Sequence, residues 1–210
     1  METMTHAPSK PVPTEPMSFE QFIEWLDEDT HAEWVEGRVI LKMPVSVKHQ
    51  HENRYLLKLL AAWIEDYHQM GYVYTAPLQV KLTLPDGSQR SRESDLVVIL
   101  HDRLAQLTEQ YFDGAPNLIV EILSPSTRAV DRSAKFVEYE AAGVPEYWLV
   151  DPEREYAEFW QLDETGVYRA AFAGSAGVYR SREVAGLWLQ VEWLWSQPSL
   201  LEVLQAWGLR

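Results

Sequence analysis

The sequence predicts one α/β or α+β domain, a mixed β-sheet with helices laid against it. Three runs, Asp95–Leu100, Asn117–Leu123 and Pro145–Asp151, are almost continuously apolar, as strands buried on both faces are. Around them lie stretches whose apolar residues recur at helical spacing. At 210 residues and 46% hydrophobic content, the chain is long enough to bury a core without disulfide staples.

Residues 1–17 are polar and hold Pro8, Pro11, Pro13 and Pro16, and read as a disordered tail. The domain is expected over 18–210. Ser18 with Gln21 reads as a capping box, opening a helix over Phe19–Glu28. Ala32–Glu36 and Val39–Met43 flank Gly37-Arg38 as a hairpin. A long helix, Val47–Gln69, carries Leu56, Leu59, Leu60, Trp63, Ile64 and Tyr67 on one stripe. Tyr72–Leu84 is extended, as two strands or as one bent at Pro77, before the turn Pro85-Asp86-Gly87-Ser88. After the Asp95 and Asn117 strands, Ser124-Pro125-Ser126-Thr127 breaks the chain. A helix over Val130–Ala142 follows, stopped by Gly143. Then come the Pro145 strand, a hairpin of Tyr156–Leu162 and Val167–Ala173, and a closing helix over Ser199–Trp207. Trp188, Trp193, Trp195 and Trp207 read as core or as a dimer contact, ahead of base stacking.

Composition narrows the function classes. The absence of Cys excludes disulfides and thiolate metal sites. No apolar run approaches the ~18 residues of a membrane span, and the N-terminus has no apolar signal core, so no membrane partner and a cytoplasmic location are expected. The formal net charge of −14 weighs against a protein that grips duplex DNA through phosphates, unless a bound metal and local cations reverse the field at the cleft.

Two acids stand out. Glu121 lies inside the apolar run Leu118–Leu123, and Asp95 at the mouth of Leu96–Leu100. A carboxylate so placed must be paired, protonated or bound to a cation. Two such acids converging on a sheet edge suit Mg²⁺ or Mn²⁺, and internal ion pairs give the same signal. Asp131, Lys135 and Tyr139 fall at i, i+4 and i+8 and share one face of the next helix. That face reaches the sheet edge if the Ser-Pro-Ser-Thr break folds the helix back; the alternative is a surface Asp131–Lys135 pair. His49 and His51, at i and i+2, do not share a helix face, so zinc is not expected; one of them enters the cleft, or both are helix-start polar residues. Glu93 points the same way as Asp95 along a strand. Arg128 and Arg132 flank the presumed site, to meet phosphates or to offset nearby acids.

Glu121 to Pro152 reads Glu-Ile-Leu-Ser-Pro-Ser-Thr-Arg-Ala-Val-Asp-Arg-Ser-Ala-Lys-Phe-Val-Glu-Tyr-Glu-Ala-Ala-Gly-Val-Pro-Glu-Tyr-Trp-Leu-Val-Asp-Pro. This block strongly resembles the Uma2 family, also called DUF820, of the PD-(D/E)XK nuclease superfamily. Upstream, Glu36-Gly37-Arg38-Val39 resembles the family's early acid-Gly hairpin, and His49-Gln50 with Leu56 and Leu57 the start of its long helix. The resemblance runs over roughly 18–191. It implies the restriction-endonuclease-like fold, a central mixed sheet flanked by helices, with an added N-terminal helix and hairpin and a C-terminal hairpin. It further implies that Asp95 and Glu121 bind the metal, helped by the Ile122 backbone carbonyl, that Lys135 is the motif lysine moved onto the helix, and that Glu36 is an extra acid. Ser94 stands where the superfamily pattern has Pro, and Leu123 where it has Lys.

The expected activity is metal-dependent phosphodiester hydrolysis of DNA, catalysed through Asp95, Glu121 and Lys135, with a homodimer to cut both strands. Against it stand a non-catalytic module that keeps the fold to bind nucleic acid or protein, and a structural dimer whose acids are salt-bridged.

Overall fold

The computed structural model describes residues 11–27 and 29–209. The expectations for residues 1–10 lie outside this range. Residues 11–17 form no helix or strand. Met17 is tied down: its N–H donates to the Gly37 carbonyl (2.8 Å), and Trp34 Nε1 donates to its carbonyl (3.0 Å).

Two large mixed sheets take the place of the expected single one. The first holds β1 (Ala32–Val35), β2 (Arg38–Leu41), β4 (Gln79–Thr83), β5 (Gln89–Glu93) and β7 (Tyr111–Asp113), in the order β2-β1-β5-β4-β7. The second holds β3 (Gly71–Thr75), β6 (Leu96–Leu100), β8 (Leu118–Ile122), β9 (Glu146–Asp151), β10 (Tyr156–Leu162) and β11 (Tyr168–Gly174), in the order β11-β10-β9-β8-β6-β3. The β8–β9 and β4–β7 pairs are parallel and the other pairs antiparallel. A small third pair, β12 (Val178–Arg180) with β13 (Trp188–Gln190), precedes the C-terminal helices.

The polar strand β5, Gln-Arg-Ser-Arg-Glu, has no apolar periodicity and was not expected. It continues through Ser94 and Asp95 into β6, so one antiparallel ribbon leaves the first sheet and enters the second. The partner crossing, β3 to β4, carries the cis Ala76–Pro77 bond. Asp95 therefore lies at the joint between the sheets.

The helices form where the spacing predicts, with shifted ends. α1 (Phe19–Trp25) has the Ser18/Gln21 capping box and ends before Glu28, which lies outside the described residues. α2 (Val47–Ala61) is N-capped by Ser46 and continues as a π-helical stretch, Ala62–Tyr67. The helix after the Ser-Pro-Ser-Thr break starts two residues early. It comprises α3 (Arg128–Val130), a π-helical stretch Asp131–Lys135, and α4 (Phe136–Ala142), closed by Gly143 at φ 81°. α5 (Trp193–Ser196) was not expected. α6 (Leu200–Ala206) is opened by a Ser199/Glu202 capping box.

The central strands of the second sheet, β6, β8 and β9, are buried on both faces, which is why they read as nearly unbroken apolar runs. Leu96, Val98, Val120, Ile122 and Trp148 pack under the α2 stripe of Leu56, Leu59, Leu60 and Trp63. The alternate residues Val97, Ile99, Ile119, Tyr147 and Leu149 face Val80 and Leu82 of the first sheet, and Tyr139. The tryptophans of the C-terminal part join the first of these cores. The Trp207 ring sits 5.0 Å from that of Trp63 and 6.2 Å from that of Trp193.

Candidate active site

The joint between the sheets brings Asp95 beside β8 and the start of α2. Asp95 Oδ2 accepts the Ile122 N–H (2.7 Å) and lies 3.1 Å from His49 Nε2. Of the two histidines, His49 is buried in the cleft and His51 is exposed. Burial alone would raise the Asp95 carboxyl. The His49 hydrogen bond, the Lys42 charge and the Ile122 N–H outweigh it and hold the group below its usual range. A strand residue presents its N–H and C=O to the same edge, so the Ile122 carbonyl is on the Asp95 side.

Glu121 lies on β8 and meets the face of the following helix. Glu121 Oε1 accepts from Lys135 Nζ (3.0 Å) and from Tyr139 OH (3.0 Å), whose oxygen is also 3.0 Å from Ser94 Oγ. The Lys135 ammonium stands 3.1 Å from Asp131 Oδ1 and 3.1 Å from Glu33 Oε1. The break at Ser124–Thr127 thus folds the helix onto the sheet edge, and Asp131 and Lys135 form a buried pair, not a surface one.

The charges do not balance. Burial opposes the Lys135 ammonium, yet Glu121 and Glu33 more than offset this and keep it charged. For Glu121 the balance runs the other way. Burial raises its carboxyl, Lys135 offsets only part of this, and repulsion from Asp131 and Asp95 adds to it, so the group stays above its usual range. One lysine shared among three carboxylates accounts for both directions.

Glu36 is not in this cluster. It occupies the hairpin turn at φ 51°, its side chain is 70% exposed, and it pairs with Arg90 (2.7 Å). The hairpin acid that reaches the cleft is Glu33, on the β1 strand face, which the sequence reading does not single out. Lys42 also lines the cleft and donates to the Glu93 carbonyl (2.6 Å). Glu93 itself turns to His31 (2.7 Å) and Gln79 (3.3 Å). Arg128 pairs with Asp151 (3.0 Å) and Arg132 with Glu158, so both offset nearby acids.

These side chains open onto a cleft of about 450 Å³ between the loops 42–46 and 123–127. Asp95, Glu121, Glu33, Asp131, Lys135 and His49 line its floor; Ile40, Met43, Val45 and Val130 form an apolar rim. Among the described residues, nothing donates a hydrogen bond to Asp95 Oδ1 or Glu121 Oε2. Two hard oxygens without partners, surplus negative charge and an adjacent carbonyl edge fit a divalent cation. No three His, Asp or Glu side chains among the described residues are arranged to hold an ion alone. Asp95 and Glu121 are the carboxylates that could share one ion with water and substrate oxygens.

Among the described residues no helix is long and apolar enough to cross a membrane. The fold is similar to that in the crystal structure of a putative nuclease belonging to DUF820 from Anabaena variabilis ATCC 29413. The two share 18% identity over 86% of this chain and 98% of that one, with a TM-score of 0.69. No protein of curated function matches this chain. The Uma2 family profile, described as putative restriction endonuclease, matches residues 19–192, which include every strand of both large sheets and all the residues that line the cleft; the chain belongs to the Uma2 family.

Proposed function

We propose that this chain is a Mg²⁺- or Mn²⁺-dependent endonuclease that hydrolyses phosphodiester bonds in DNA. The observation that carries this reading is the pair Asp95 and Glu121 on one cleft floor beside a charged Lys135, with more carboxylate than the lysine neutralises. Asp95, Glu121 and the Ile122 carbonyl would hold the ion. When bound, it would polarise the scissile phosphate and lower the pKa of the attacking water. Lys135 orients that water or neutralises the charge growing on the phosphate. His49 fixes the Asp95 carboxylate, and Tyr139 fixes Glu121 against Ser94. A homodimer would supply one site for each strand.

Calorimetric titration with Mg²⁺ and Mn²⁺, with plasmid nicking on the same samples, tests this. Wild type binds and nicks. Asp95→Ala and Glu121→Ala lose both, and Lys135→Ala keeps metal binding while nicking falls by about 100-fold or more. A wild type that binds no metal at millimolar concentration overturns the proposal. A second reading, a non-catalytic relative that binds nucleic acid or protein, draws on the net charge of −14 and on the engagement of Glu121 by Lys135. Metal binding without nicking in any buffer would favour it.

A further inference from the structure

A second hollow, of about 240 Å³, lies on α2 away from the cleft and is lined by His51, Arg54, Tyr55, Lys58 and Gln197. We propose that it holds a backbone phosphate of the nucleic-acid substrate. The identity of this ligand rests on the nuclease reading above; the anion site does not.

His51, Arg54 and Lys58 fall at i, i+3 and i+7, so they share the solvent face of α2, opposite its buried stripe. All three are exposed. Most of the described arginines and lysines are in ion pairs, but Arg54 and Lys58 are in none; Lys58 Nζ lies 5.2 Å from the Tyr55 ring centre. In a chain of net charge −14, unpaired cations gathered around a concavity form a local exception.

Tyr55 supplies an independent observation. It is only 2% exposed, it lines the hollow, and its hydroxyl is buried without a hydrogen-bond partner. A buried hydroxyl with no acceptor is costly, and an anion seated among His51, Arg54 and Lys58 would provide one. Two acids act electrostatically on Tyr55, Glu52 and Glu202. Burial pushes the Glu52 carboxyl up to about 7, and Gln197 donates to it (3.1 Å), so at neutral pH it opposes an anion weakly. Glu202 is engaged in the α6 cap.

Position connects this hollow to the cleft. His49, which touches Asp95, lies on the same helix, and the hollow begins two residues later and ends nine residues later, about 3–14 Å of axial rise. A strand of a few nucleotides spans that interval.

Binding of a fluorescent 12-nucleotide DNA, measured by anisotropy in EDTA so that cleavage is silent, tests the site. Arg54→Ala/Lys58→Ala is expected to raise Kd by about tenfold or more and to lower the slope of log Kd on log salt by about 2. Arg169→Ala/Arg180→Ala, a charge-matched change on β11 and β12, leaves both unchanged. Tyr55→Phe weakens binding about tenfold without lowering Tm, because the lost hydroxyl has no partner in the free protein. Inorganic phosphate and a mononucleotide are titrated alongside. If they bind as tightly as the DNA, and the DNA affinity ignores the Arg54/Lys58 change, the ligand is a free phosphate compound and the backbone assignment is overturned. Equal losses in the two double variants overturn it too. A protein that binds DNA in this way but never nicks would sink the nuclease reading alone; a protein that nicks but ignores these substitutions would sink this site alone.

Discussion

Two buried ionic clusters stand side by side and share Glu33, yet they differ in kind. In one, Arg92 meets Glu33 (2.6 Å) and Glu138 (2.7 Å), while Arg90 meets Glu138 (3.2 Å) and the exposed Glu36 (2.7 Å). Both Glu138 oxygens are taken, one by each arginine. In the other, Lys135 alone faces Glu33, Glu121 and Asp131. The near oxygens of Glu33 and Asp131 are at ion-pair distance but outside hydrogen-bond geometry. In the first cluster two arginines meet two buried carboxylates and the exposed Glu36, and together they hold β1, β5 and α4. The second keeps negative charge in reserve. The difference separates a brace from a site: a buried cluster with charge left over is one that a further ion can complete.

The contrast breaks first at Arg92. Arg92→Ala leaves Glu33 with Lys135 alone and Glu138 with Arg90 alone, and a loss of about 3 kcal/mol is expected in urea unfolding. A loss below about 1 kcal/mol would show that the brace is ornamental. Next comes Glu52, a buried acid in no ion pair among the described residues. Its folded pKa of about 7 lies above the ordinary value of 4.5, so the folded state holds the extra proton between them. Stability therefore falls as pH rises through that window, by up to about 3 kcal/mol above pH 7. Glu52→Gln removes that fall, so Tm of the two proteins measured against pH converges near pH 4 and parts near pH 8. Glu121→Gln sharpens the comparison from the other side. Relieving the acid surplus raises stability by about 1 kcal/mol while nicking is lost; a destabilised variant would place Glu121 with the brace. Tyr139→Phe, which removes the hydroxyl between Glu121 and Ser94, has an effect of similar size and opposite sign, a cost of about 1 kcal/mol in the same unfolding assay.

What the sequence reveals follows from the range of each signal. The central strands β6, β8 and β9 are legible because both faces are apolar, and Asp95 and Glu121 are legible as exceptions beside and within them. Asp131, Lys135 and Tyr139 are legible together because helical spacing is local. β5 is not, because its buried face is made of Arg, Ser and Glu whose partners lie far along the chain: Glu138 is 46 residues from Arg92. The same holds for His49, 46 residues before Asp95, and for the change of sheet at Ser94–Asp95, which no local periodicity encodes. Glu36 draws attention beside a turn glycine, whereas strand alternation puts Glu33, three positions earlier, on the face that reaches Lys135. Only the paired register of the first sheet distinguishes the two.

The π-helical stretch Asp131–Lys135 carries a consequence for length variation. A wide turn of this kind corresponds to one residue inserted into an ordinary helix. Deleting a single residue there would let the segment relax to α-helix and rotate what precedes it by about 100° relative to α4. Asp131 would then leave the cleft although every side chain that remained was unaltered. Descendants of this chain are thus free to lengthen or shorten at the Asp163–Gly166 turn, but the count of residues from Asp131 to Lys135 is constrained along with their identities.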